Sequence, residues 1–199
     1  MSVFKLFVYI CPMKTSKART KIIETAADLF YRNGYNRTGI NEIIKEAGVA
    51  KATLYSHFAS KDDICVAYLQ YMNRSLINDI EARVAPLPEG KKRVLGLFDF
   101  LWDFFRSEDF NGCWCIKTVA EVPEDNTSIM NEIHSQKDAL RAYIERLVKD
   151  NIPGLTPFEL QQTSNQLYLL YEGALAESYL HNDNWPIESA RRLGQKLLT

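Results

Sequence analysis

Apolar residues recur at the three- and four-residue intervals of a helix along almost the whole chain, without the alternation that marks a strand. The first run comprises Ile22, Ala26, Leu29 and Phe30, and it stops at Asn33-Gly34, a pair that often ends helices. This pattern predicts a first helix over about residues 17–33.

Two short apolar stripes follow. Ile40, Ile43, Ile44 and Ala47 form one that ends at Gly48, and Val49, Leu54 and Phe58 form the next. Two short helices separated by a tight glycine turn are typical of a helix-turn-helix.

A long fourth helix begins after Ser60. Ser60 and Asp63 have the spacing of a capping box, in which each side chain bonds the other residue's backbone N–H. Apolar residues then recur at helical spacing through Ile80, and the run stops before Pro86.

The remainder has the same character. Proline and glycine separate five further predicted helices, near 89–107, 112–121, 127–150, 156–181 and 187–198. We therefore predict an all-α fold in two parts, a three-helix head and a helical body, with the division inside the long fourth helix.

Charge divides the chain in the same way. The whole chain has 199 residues and a formal net charge of −1, with the composition of an ordinary globular protein. From Lys14 to Lys61, however, nine cations accompany four anions, a net charge of +5, whereas the residues from Asp62 onward carry −7. A basic head beside an acidic body indicates that the head meets a polyanion such as DNA.

The cysteines and the first residues indicate the cellular compartment in which we expect the protein. Cys11, Cys65, Cys113 and Cys115 lack the spacing of a disulfide framework, which favours a reducing compartment. The apolar stretch 1–13 is shorter than a membrane span and lacks the charge order of a signal peptide. We expect a cytoplasmic protein whose residues 1–13 are disordered or precede the true start, with translation beginning at Met13.

One motif is specific. Ala26-Ala-Asp-Leu-Phe30, Gly34-Tyr35, Ala47-Gly-Val49, Leu54-Tyr-Ser-His-Phe58 and Ser60-Lys61 occur in one register over about 45 residues. This stretch closely resembles the DNA-binding head of the TetR family of bacterial transcriptional repressors. The resemblance implies a DNA-binding domain over 14–61 and a ligand-binding and dimerisation domain over 62–199.

The resemblance also implies residue roles. In the third helix the inward packing of Leu54 and Phe58 leaves the opposite face to the DNA major groove. The family pattern places base and phosphate contacts at Lys51, Ala52 and Thr53, and backbone contacts at Thr38, Tyr55, His57 and Lys61. Ser56 lies on the same face and completes the candidate set. Gly39 and Ala50 depart from the pattern, because the family usually has Ser or Thr caps there.

For the body, the family implies an internal ligand cavity. The densest aromatic region lies between Phe98 and Trp114, and it indicates a small, largely apolar or aromatic ligand. Candidate ligand contacts are Trp102, Phe105, Trp114, Tyr168 and Tyr171, with His134 and Glu172 as polar anchors.

The family further implies a homodimer formed by the last two long helices, which would bind a pseudo-palindromic operator. A small-residue patch supports close helix packing there, although packing inside one subunit would explain the same residues. The candidate interface comprises Leu167, Leu170, Gly173, Ala174, Ala176, Glu177 and Leu180.

The leading hypothesis is a repressor that a small molecule releases from its operator. One alternative is a DNA-binding organiser without an effector, and another is a regulator that senses oxidants or electrophiles through Cys113 and Cys115. No Ser-His-Asp order, phosphate-binding glycine loop or zinc-ligand spacing is present in the sequence. We therefore expect no enzyme activity, no metal and no cofactor.

Overall fold

The computed structural model describes residues 16–198, and within that range it contains nine helices and no strand. The helices are α1 Lys17–Asn33, α2 Ile40–Ala47, α3 Lys51–His57, α4 Lys61–Val84, α5 Lys91–Phe105, α6 Trp114–Val119, α7 Thr127–Asn151, α8 Pro157–His181 and α9 Trp185–Leu197. The all-α prediction is confirmed. The proposals for residues 1–13 and for a start at Met13 lie outside the described residues.

The described chain forms two compact units. The head unit contains residues 16–75 and 113–136, and the body unit contains residues 76–112 and 137–198. The sequence placed a boundary between residues 61 and 62. The head unit extends along α4 to Ser75 and includes α6, whose Trp114 ring packs edge-on against Tyr31 of α1.

The core of the head unit comes from the apolar stripes of its helices. Ile22 of α1, Ile43 of α2 and Leu54 of α3 are fully buried. Tyr68 of α4 is buried with them, and its ring lies 5.5 Å from that of Phe30. Burying these side chains holds the two short helices, which are too short to be stable alone.

Four of the described helices, α1, α4, α7 and α8, begin with a side-chain cap; at α7 the Asn126 Oδ1 accepts the Ile129 N–H at 3.3 Å. Ser16 accepts a hydrogen bond from the Arg19 N–H at the start of α1. At α4 the expected capping box is present, with Asp63 N–H to Ser60 Oγ at 3.1 Å and Ser60 N–H to Asp63 Oδ2 at 3.0 Å. Thr156 and Glu159 form the equivalent pair at α8.

The helices of the helix-turn-helix begin without such caps. Gly39 and Ala50 occupy the N-cap positions of α2 and α3, and neither offers a side-chain acceptor. At α2 the Glu42 carboxylate accepts the Gly39 N–H at 3.4 Å, which supplies half of a capping box. At α3 the Ala50 backbone already has the extended conformation of an N-cap residue.

In the body unit, α9 packs closely on α5 and α8. A Cβ atom at Gly194 would come within 2.9 Å of Phe98 and 3.2 Å of Leu167, so glycine permits the approach. Arg191 Nε of α9 also donates to Asp99 Oδ1 of α5 at 2.7 Å. These contacts fix the apolar core formed by the three helices.

The missing cap of α3 can be tested. Ala50→Ser supplies a hydroxyl acceptor on a backbone that already has N-cap geometry, so we expect the free energy of unfolding to rise by about 1 kcal/mol. Urea unfolding followed by circular dichroism measures it. Ala52→Ser, a control inside the same helix, should bring no gain. Equal effects of the two substitutions would contradict the expectation that a hydroxyl cap at residue 50 stabilises α3.

Candidate nucleic-acid interface and ligand site

The predicted DNA-binding residues of α3 lie together on its outer face. Lys51, Ala52, Tyr55 and Ser56 are exposed, while Thr53 and His57 are partly exposed. Leu54 and Phe58 are buried on the opposite side. The outer face of α3 is therefore available to a groove, as the helical spacing predicted.

His57 is fixed at the end of α3. Its Nε2 lies 3.0 Å from the hydroxyl of Ser16, which also caps α1. The imidazole thus links the start of the first helix to the end of the third. This contact orients the ring at the edge of the exposed face.

Lys61 is held by an aromatic ring. Its ammonium nitrogen lies 4.1 Å from the centroid of the Tyr35 ring, a cation–π distance. The Tyr35 hydroxyl donates to the Asp62 carboxylate, and partial burial together with this bond raises the tyrosine pKa well above its usual value. Burial lowers the pKa of Lys61. The ring therefore positions the lysine at the start of α4.

Thr38 does not have the predicted role. It is fully buried, and its hydroxyl donates to the Gly34 carbonyl at 2.8 Å and to the Leu29 carbonyl at 3.3 Å. The side chain stabilises the turn after α1 and is unavailable to a phosphate. The sequence interpretation failed because a threonine before a helix suits either role.

Residues 117–126, from α6 to the start of α7, fasten onto the head; we call them the 117–126 clamp. Glu121 Oε2 accepts the backbone N–H of Asn36 at 2.7 Å, and the Asn36 side-chain amide donates to the Glu121 carbonyl at 2.8 Å. Asn126 Nδ2 donates to Asp62 at 2.8 Å. These three bonds reach the turn after α1 and the start of α4.

Two further features complete the clamp. The Lys117 ammonium donates to the carbonyl of Tyr31 at 3.1 Å. Gly34, at φ +93°, leaves room for the Glu121 carboxylate where any side chain would meet it. The sequence analysis missed the clamp, because partners 85 residues apart leave no local pattern.

The ligand candidates are divided between the units. Trp102, Phe105 and Tyr168 are partly exposed in the body unit, and Tyr171 is buried there. Trp114 and His134 belong to the head unit, where Trp114 is buried beside α1 and His134 is exposed.

Glu172 already has a protein partner. The Lys137 ammonium lies 2.6 Å from its Oε2, and both side chains are mostly buried. The pair satisfies the charges of both residues within the body unit.

The comparisons with known proteins include a match confined to the head. Residues 22–68 fit the family model for bacterial regulatory proteins of the tetR family. The transcriptional regulator LmrA of Bacillus subtilis is 26% identical over 88% of this chain and 93% of its own length. The chain belongs to the TetR family of bacterial transcriptional regulators.

Other relatives agree with this assignment. The transcriptional activator FasR of Mycolicibacterium smegmatis is 28% identical over 45% of this chain, a match that spans 41% of that relative. A crystal structure of a TetR-family transcriptional regulator from Streptomyces coelicolor superposes with a TM-score of 0.80 at 27% identity. That match covers 92% of this chain and 89% of the neighbour.

This TetR-family chain leaves apolar side chains uncovered on α8 and α9. Leu169 and Leu180 are 67% and 73% exposed, and Gly173 lies between them with open space above it. Glu177 is exposed beside them, while Leu170 and Ala176 are partly exposed.

Two residues of the predicted dimer interface are buried within their own subunit. Leu167 and Ala174 are buried in the core of their own unit, so packing within one subunit explains them. Leu169, Trp185 and Leu193 are exposed and were absent from the sequence prediction, because a helix pattern alone does not tell which of two apolar faces is covered.

The described cysteines, Cys65, Cys113 and Cys115, are all buried. Cys65 is fully buried, and burial raises the pKa of its thiol to about 12. Cys115 lies 3.6 Å from Gln136 Oε1, to which the Trp114 indole also donates. Cys113 is only 7% exposed. Burial restricts the access of a soluble oxidant to these thiols.

Within residues 16–198 two kinds of feature are absent. No group of three or more His, Cys, Asp or Glu side chains is arranged to hold a metal ion. None of the helices in this range has the length and apolar character needed to cross a membrane.

Asp79 of α4 is the most unusual charged group of the body unit. Its carboxylate is half-buried and forms no hydrogen bond or ion pair with any residue described. Burial raises its pKa to about 6. Unpaired carboxylates in such settings are uncommon outside functional sites.

This group predicts a pH dependence of stability. The pKa of Asp79 is higher in the folded than in the unfolded chain, so the protonated carboxyl group favours the folded state. This contribution to the free energy of unfolding is complete below about pH 4 and is lost as pH rises through about 6. We expect Asp79→Asn to raise the free energy of unfolding at pH 7.5 by about 1 kcal/mol, a value reduced for solvent screening.

Urea unfolding at pH 4 and pH 7.5 tests this prediction, because the gain should vanish at the lower pH. The control is Asp138→Asn, which removes a carboxylate that is 71% exposed. An Asp79→Asn variant no more stable than wild type at pH 7.5 would contradict it.

Proposed function

We propose that this chain is a transcriptional repressor that binds a pseudo-palindromic operator as a homodimer and is released by a small molecule bound in its body unit. The observation that supports this best is the 117–126 clamp. It fastens residues beyond α5 to the turn and helix ends that carry the DNA-binding face. A change in the clamp would therefore act on the shape of the head.

In this proposal α3 enters the major groove. Lys51, Ala52 and Thr53 at its N-terminal end meet base edges and nearby phosphates, and Ser56 lies along the same face. Tyr55, His57 and Lys61 contact the backbone. Phosphate contacts fix the register of the head on DNA, whereas the base contacts give sequence specificity.

The exposed apolar residues of α8 and α9 support the dimer. Leu169, Gly173 and Leu180 recur at helical spacing and present an uncovered face to a second copy. A two-fold axis would place two heads about 34 Å apart, one turn of DNA, or a multiple of that distance. The operator would then carry two related half-sites.

Release follows from helix continuity. Helices α4 and α7 each begin in the head unit and end in the body unit. A ligand that favours one arrangement of these helices in the body biases their head ends by its differential affinity, typically about 1–3 kcal/mol. An operator-bound regulator of this kind acts in the bacterial cytoplasm.

Selection of bound DNA from a random-sequence pool tests the function. We expect a pseudo-palindrome, and binding without any sequence preference would favour the organiser without an effector. The affinity of the wild-type protein for the selected site is then measured at several salt concentrations.

The roles of Lys61 and Thr53 can then be separated on that site. Lys61→Gln removes a phosphate contact, so the slope of log affinity against log salt should fall by about one per half-site. Thr53→Ala should change which bases are preferred. Lys149→Ala, which removes an exposed cation from α7, is the charge control and should leave both unchanged. Equal slopes for Lys61→Gln and Lys149→Ala would contradict the assigned role.

A further inference from the structure

The start of α1 packs against the end of α3 at two neighbouring positions. The Ser16 hydroxyl oxygen lies 3.0 Å from His57 Nε2. Further along α1, the Arg19 guanidinium carbon lies 5.1 Å from the centroid of the Phe58 ring, a cation–π distance. The His57 ring forms no other hydrogen bond with the residues described, so Ser16 is the group that orients it.

The Ser16 hydroxyl can serve both partners at once. It accepts the Arg19 backbone N–H at 3.1 Å, which caps α1, and it still has one hydrogen to donate. Among the residues described, the only further partner of this hydroxyl is His57 Nε2. Donation to Nε2 therefore satisfies the hydroxyl hydrogen and the ring nitrogen together. A neutral imidazole that accepts at Nε2 carries its own hydrogen on Nδ1.

This tautomer suits a DNA phosphate. Nδ1 and Nε2 lie on different edges of the ring, so the Nδ1–H points away from Ser16 and meets no acceptor among the residues described. Phosphate oxygens accept hydrogen bonds from donors on the protein. The opposite neutral tautomer would present a lone pair to the phosphate, and the two acceptors would repel each other.

We propose that Ser16 is a positioning residue for DNA binding, which holds the neutral His57 ring in the Nδ1–H tautomer so that this N–H donates to a phosphate. The inference rests on the backbone contact proposed for His57 and names the residue that orients it. Ser16 precedes the stretch 22–68 that fits the family model, so the match to that model does not include it.

Ser16→Gly separates positioning from capping. Glycine is tolerated at an N-cap almost as well as serine, so α1 keeps its start while His57 loses its partner. Ser16→Thr keeps the hydroxyl and is the conservative variant. Thermal unfolding of each variant shows that a changed affinity does not come from lost folding.

Nitrogen-15 NMR of the imidazole reads the tautomer directly at about pH 8.5, where an ordinary imidazole is neutral. We expect the Nδ1–H form in wild type and in Ser16→Thr, and a shift toward the Nε2–H form in Ser16→Gly. An Nε2–H ring in wild type, or the same tautomer in wild type and Ser16→Gly, overturns the inference.

DNA affinity at the same pH tests the consequence. A phosphate contact is independent of base sequence, so a duplex of unrelated sequence at low salt is used beside the selected operator. Ser16→Gly should weaken binding of both duplexes about fivefold, while Ser16→Thr stays within about twofold of wild type. The control Thr156→Gly removes the hydroxyl cap of α8 in the body unit and should also stay within about twofold.

A double-mutant cycle shows whether Ser16 acts through the ring. His57→Ala alone should weaken binding about tenfold, and adding Ser16→Gly to it should cause no further loss. An equal loss from Ser16→Gly in both backgrounds would mean that Ser16 acts independently of His57, which overturns the inference.

The unrelated duplex keeps this inference distinguishable from the proposed repressor function. Weaker binding of that duplex by Ser16→Gly, with no operator emerging from the selection, supports the positioning role and contradicts the repressor. Operator binding by Ser16→Gly at wild-type affinity overturns the positioning role and leaves the repressor standing. Failure of the wild-type protein to bind either duplex overturns both.

Discussion

One carboxylate holds the turn that precedes α2 and the exposed face of α3. Glu121 accepts the backbone N–H of Asn36 in the turn after α1, and Gly34 has a conformation that leaves it room. Thr38 closes the same turn from within through its buried hydroxyl. Since α2 follows this turn and α3 follows α2, we expect the direction of the exposed face of α3 to respond to this bond, whose partners lie 85 positions apart.

Local signals in the sequence were sufficient for the helices and for the exposed face of α3. The capping box of Ser60 and Asp63, the stop at Gly34 and the spacing of Leu54 and Phe58 act over a few residues, so they can be read from sequence. Long-range contacts were not predictable. Thr38 was assigned to DNA because nothing near it in sequence shows that its hydroxyl bonds the preceding turn.

The same lack of long-range information explains why the sequence interpretation of the body unit was incomplete. An aromatic stretch and a small-residue patch identify helices that pack, but not which face is covered. Leu167 proved to be core, while Leu169, two residues later, is exposed. The unpaired carboxylate of Asp79 is also invisible in sequence, since Arg83 stands at the spacing of a helical ion pair and binds Asp103 instead.

Amide hydrogen exchange combined with operator affinity in Glu121→Ala tests the central claim most directly. If the 117–126 clamp sets the head, the Asn36 amide should lose protection about tenfold, amides of α2 should follow, and operator affinity should fall with them. Loss of protection at Asn36 alone, with operator affinity unchanged, would show that the head keeps its DNA-binding shape without the clamp.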